Sequence, residues 1–94
     1  MTEATFKAYV ELKNKVTMAR IKLDLLDEVL SFKDPVISMD VYPGYPDFVD
    51  KTDGVHLSSE MDKIPVELIM TGLKKYRDDI EKEMISAEEE MLAL

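Results

Sequence analysis

The side chains best suited to chemistry lie near the middle of the chain. Asp47, Asp50 and Asp53 recur every third residue, Tyr42, Tyr45 and Phe48 stand among them, and His56, the only histidine, follows. Carboxylates interleaved with aromatic rings on a loop suit recognition of a protein surface. The rings bring rigid contact area and the acids bring charge. Tyr42, Tyr45, Asp47, Phe48, Asp50 and Asp53 are therefore the candidate partner-binding residues. The alternative is that these rings cover an apolar helix face of the same chain.

Metal chemistry is poorly served. Asp50-Lys51-Thr52-Asp53-Gly54 lacks the alternating ligand spacing of a calcium loop, and a chain without cysteine cannot form the usual zinc sets. Asp78, Asp79 and Glu81 stand beside Lys74, Lys75, Arg77 and Lys82, the pattern of surface pairing along a helix. Neither a glycine-rich phosphate loop nor a serine-nucleophile motif occurs. The expectation is a chain that is not an enzyme and uses no metal or cofactor.

Two long amphipathic stretches flank this central segment and must position it. In the first, Tyr9, Leu12, Val16, Ala19, Leu23, Leu26 and Leu30 alternate spacings of three and four, an uninterrupted heptad seam. Small Ala19 lets another helix approach closely. Met18, Ile21, Leu25 and Phe32 form a second apolar stripe, flanked by Val29. A helix with two apolar faces needs cover on both. Asp34-Pro35 stops it, because the residue before a proline is pushed out of the α region.

The second stretch has Asp62 as the expected cap, with Pro65 in the first turn, where its missing N–H costs nothing. Its seam reads Val66, Ile69, Leu73, Tyr76, Ile80, Met84, Ala87, Met91 and Leu94, with a doubled spacing of four after Tyr76 that predicts a stutter. Gly72 is either a tolerated glycine or a point of close backbone packing. The Glu88-Glu89-Glu90 run reads as a solvated face.

The predicted architecture is mainly α: an antiparallel hairpin of two long helices, about 2–33 and 62–93, in one domain spanning 1–94. The loop at about 34–61 is too long for an ordinary helix–helix connection and too apolar for a disordered linker. In it, Val36 to Tyr42 and Val55 to Leu57 could pair as a short β-ribbon, or the segment could be an ordered irregular loop. Leu12, Val16, Ala19, Leu23, Leu26, Leu30, Leu73, Tyr76, Ile80 and Met84 are the candidate seam or dimer residues. Two such hairpins would make a dimeric four-helix bundle.

The net charge of −8 is unevenly placed: +1 over residues 1–33, −5 over 34–61 and −4 over 62–94. Such acidity argues against direct contact with nucleic acid, which needs clustered Lys and Arg. It suits either solubility or a basic protein surface. No apolar run approaches the roughly 18–20 residues of a membrane span. The N-terminus, Met-Thr-Glu-Ala-Thr-Phe-Lys, lacks the form of a signal peptide. A soluble, cytoplasmic protein is expected.

The segment Val55-His56-Leu57-Ser58-Ser59-Glu60-Met61-Asp62-Lys63, leading into an acidic helix with Asp-Asp-Ile-Glu-Lys-Glu at 78–83, resembles small helical-hairpin proteins of unknown function from phages and prophages of Gram-positive bacteria. Pro65 and the Tyr-Pro-Gly-Tyr-Pro loop depart from that pattern. The resemblance carries no activity or site. It implies a mobile-element origin and residence in a host cytoplasm. The expected function is an acidic protein-binding module, homodimeric, that binds and modulates a bacterial host protein, with inhibition the favoured mode. Two alternatives stand beside it: an acidic nucleic-acid mimic that blocks a nuclease or immune effector, and a phage assembly or scaffold component.

Overall fold

A computed structural model describes residues 2–42 and 54–94. The order is α1 (Glu3–Leu30), β1 (Ser38–Val41), β2 (Val55–Ser58) and α2 (Val66–Ala93). At 28 residues each, the helices run about 42 Å. They pack against each other as a hairpin. Cross-links from Asp27 to Arg77 and from Arg20 to Glu88 set their antiparallel sense, since one partner number falls as the other rises.

Thr2 caps α1, its hydroxyl accepting from the Thr5 N–H at 3.1 Å. The helix ends at Leu30, before the expected proline stop. There the Ser31 N–H bonds back to the Asp27 and Glu28 carbonyls, and its hydroxyl donates to the Glu28 carbonyl at 2.6 Å.

The start of α2 differs from the expectation at Asp62. Ile64 precedes Pro65 and is excluded from the α region, so no helix can run through it. Pro65 takes the cap position and Val66 opens the helix. The Ser58 to Asp62 motif closes a turn instead. Asp62 Oδ2 accepts from the Ser58 N–H at 2.9 Å, and the Asp62 N–H donates to the Ser58 carbonyl at 2.8 Å.

The central segment does form a ribbon. β1 and β2 pair antiparallel, with Ser38 opposite Ser58, Met39 opposite Leu57, Asp40 opposite His56 and Val41 opposite Val55. Ser59 extends it by one pair: its N–H donates to the Ile37 carbonyl, and its hydroxyl accepts from the Ile37 N–H at 2.9 Å. Neither strand packs against either helix.

The core is thin. Among the described residues, Leu23, Ile80 and Ala87 are the buried apolar side chains, and no polar side chain is buried. Leu12, Val16, Ala19, Leu26 and Leu30 are half-buried along α1, as are Leu73, Met84 and Met91 along α2. The seam of α2 runs through Arg77 rather than Tyr76, which stays 49% exposed. With Arg77 included, Val66, Met70, Leu73, Arg77, Ile80, Met84, Ala87 and Met91 alternate four and three without a break. The expected stutter is therefore absent.

Candidate functional site: the outer face of the first helix

A helix turns about 100° per residue, so the seam residues of α1 gather on one side around Leu23. Met18, Ile21, Leu25 and Val29 gather on the opposite side. Leu23 is 7% exposed, whereas Leu25 is 58% and Met18 56% exposed. Phe32, one residue past the C-cap Ser31, and Val10, further toward the N-terminus, are exposed as well. The hairpin thus covers one apolar face of α1 and leaves the other open. A contiguous apolar stripe on a small protein marks a contact surface far more often than scattered single residues do.

Two of the grooves along the hairpin bear on this face, the first directly at Met18 and the second beyond its C-terminal end at Phe32. One, of about 460 Å³, runs between the helices beside Met18 and Ala19 on α1 and Tyr76 and Ile80 on α2. Lys15 and Lys22 line one wall, Asp79 and Glu83 the other, so its rim carries both signs. Ala19 makes this space: its short side chain leaves a gap where a leucine would fill the seam. The second groove, of about 600 Å³, lies toward the ribbon end, between Leu30, Phe32 and Pro35 on one side and Val66 and Met70 on the other.

Arg77 anchors the floor of that second groove. Its Nε donates to Asp27 Oδ1 at 2.8 Å, and its Nη1 donates to Asp78 Oδ1 at 3.2 Å and to Glu81. Hydrogen bonding to Asp27, more than the bonds to Asp78 and Glu81, raises the guanidinium pKa above its ordinary value, against the opposing effect of partial desolvation. Three carboxylates satisfy this cation, so it offers little to an anionic ligand.

The ribbon carries a polar network. His56 Nδ1 lies 2.6 Å from Asp40 Oδ1, and Nε2 lies 3.3 Å from Ser38 Oγ. The order Asp–His–Ser is that of a nucleophile relay. However, the His56 and Asp40 side chains are 64% and 54% exposed. Water surrounds the imidazole, and the low-dielectric setting that makes such a relay effective is missing. The arrangement acts as a cross-strand tie, with the register placing Asp40 opposite His56.

Of the six loop candidates, Tyr42 is described, and it is half-buried at the end of β1. Its ring lies over Gly54, where an added Cβ would collide with the ring carbons. Tyr45, Asp47, Phe48, Asp50 and Asp53 fall outside the described residues. Gly72, by contrast, faces open space, so close packing is not what its lack of a side chain serves. Sequence reading missed the role of Arg77. The signal was there: moving one residue along at both Ile69 and Tyr76, to Met70 and Arg77, restores the heptad.

No group of histidine, cysteine and acidic side chains that could hold a metal ion occurs among the described residues. No helix among them is long and apolar enough to cross a membrane. In comparisons of sequence and fold, no protein-family model, no curated protein and no solved structure matches this chain.

Proposed function

We propose that the chain is a non-catalytic protein-binding module whose docking face is the outer side of α1. The observation that carries this reading is the opposed pair of apolar stripes on one helix, the inner one packed on α2 and the outer one, from Met18 through Val29, exposed. Water-exposed leucine, isoleucine and methionine in helical register are stabilised by burial at about 25 cal/mol per Å² of apolar surface. A partner helix laid along the stripe supplies that burial. In this reading the acidic α2 points away from the docking face and keeps the free chain soluble. Independently of what occupies this face, the biological setting proposed for the module is a mobile-element protein that binds a bacterial host protein and blocks it.

A photo-crosslinking residue tests the docking face. Benzoylphenylalanine placed at Leu25 or Met18 in bacterial cells should give discrete protein adducts, and at Glu89 on α2 it should give none. Adducts at Glu89 and none at Leu25 or Met18 would refute the assignment. The adduct mass also tells a second copy from a foreign protein.

A further inference from the structure

We infer that the occupant of this face is a second copy of the chain, with α1 packed antiparallel on α1 of the partner about a two-fold axis near Ile21. The inference rests on the docking-face reading above and names its partner.

Three observations lead to it. The first is area. The chain exposes 7820 Å², whereas a compact monomer of 10.8 kDa exposes about 5,500 Å². That excess belongs to the whole elongated chain, and the part of it on the outer face of α1, where Met18, Ile21, Leu25 and Phe32 are each at least half exposed, is what counts toward the roughly 800 Å² that each partner contributes to a standard interface. The molecule is a single layer, 15 Å in its thinnest dimension, and a partner's α1 laid on the face opposite α2 extends that layer sideways to four helices in a row, so that both apolar faces of α1 are covered.

The second is register. In an antiparallel pair with its axis near Ile21, residues meet when their numbers sum to about 42. Ile21 then meets the partner's Ile21, and Met18 meets the partner's Leu25. Val10 meets the partner's Phe32, so the stripe covers itself except at Val29, which meets the partner's Lys13 or Asn14. A two-fold contact uses the same patch on both copies, and self-complementarity is its requirement.

The third is charge. One flank of the stripe holds Lys13 toward the N-terminus and Asp24 and Glu28 toward the C-terminus. Reversal of the partner sets Lys13 beside the partner's Glu28 at both ends of the contact. On the other flank, Lys22 comes near the partner's Lys22, and Asp79 and Glu83, which line the same groove as Lys15 and Lys22, offset that repulsion. Residues 1–33 carry +1 in total, whereas residues 34–94 carry all the excess acid. Docking through α1 brings the near-neutral surfaces together and keeps the acidic helices outside, where repulsion is screened.

Sedimentation equilibrium over a broad concentration range tests this. The wild-type chain should be a dimer, and Leu25→Glu should raise its dissociation constant at least ~100-fold, as expected for a charge placed at the centre of an apolar contact. Because Leu25→Glu would also unfold an obligate dimer, charge reversal provides a second reading. Lys13→Glu should weaken the dimer several-fold, and adding Glu28→Lys should restore it. A wild-type monomer at every concentration overturns the inference, as does a dimer indifferent to Leu25→Glu and to both reversals. Adducts from Leu25 to a foreign protein alone, with a monomeric chain, would leave the docking face standing and remove the second copy.

Discussion

Arg77 Nε donates to Asp27 Oδ1 at 2.8 Å across the hairpin, from a seam position where heptads place an apolar side chain. The side chain remains 26% exposed, so its charge is hydrated in part while its stem packs between the helices. A polar group in a seam favours one register over its neighbours more than it stabilises the pair. Ion pairs this close to water contribute little net stability. Arg77→Met should therefore leave the melting temperature unchanged or higher, since methionine adapts to the gap and completes the apolar seam. Thermal denaturation followed by circular dichroism checks this, and a clear fall in melting temperature would show that the ion pair stabilises the fold.

Gly72 stands in the interior of α2 with open space where a side chain would go. Gly72→Ala should stabilise the chain by about 1 kcal/mol, the difference in helix propensity between the two residues. Urea denaturation gives the value. A loss of stability would reveal a contact at this position that the free hairpin does not make.

Leu23 and Leu25 are two residues apart on the same helix and face opposite ways, one 7% and the other 58% exposed. Leu23→Ala should cost about 2–5 kcal/mol, by lost burial and the cavity it leaves. Leu25→Ala should cost little in the isolated hairpin and act mainly on association, so its apparent cost should grow with protein concentration. Equal, concentration-independent losses at both positions would contradict the assignment of faces.

Gly54→Ala should loosen the ribbon, because the new Cβ would meet the Tyr42 ring. Rotation of the ring relieves the clash, so the effect is local. Amide exchange at Met39 and Leu57 should quicken while exchange at Leu23 and Ile80 holds. Since the strands do not pack on the helices, a global fall in protection would mean that ribbon and hairpin are coupled after all.

Most of the helical hairpin was legible in the sequence because burial writes a period into it. Leu12 through Leu30 repeats at three and four, and that repeat is the face α1 turns to α2. The ribbon was legible as one of two readings: Val36 to Tyr42 and Val55 to Leu57 suggested a pair of strands, which the structure forms, but an irregular loop fitted the sequence equally well because the pairing joins distant residues. Two readings went astray for local reasons. Tyr76 is apolar enough to look like a seam residue, and Arg77 is not, so hydropathy chose the wrong neighbour. Asp62 looks like a helix cap, but the restriction Pro65 places on Ile64 outweighs it. The loop candidates from Tyr45 to Asp53 lie beyond the described residues, so the docking face is placed on α1. The exposure of that face was foreseeable only as a surplus: one helix carried more apolar surface than a two-helix fold can cover.

The most direct measurement uses the natural lack of cysteine. Single variants Ile21→Cys, at the inferred two-fold axis, and Glu89→Cys, on the far side of α2, are oxidised at low concentration and resolved by non-reducing electrophoresis. Ile21→Cys should give rapid and nearly complete covalent dimer, and Glu89→Cys slow, concentration-driven dimer. Equal slow rates at both positions, with the chain monomeric in sedimentation, would contradict the two-fold contact.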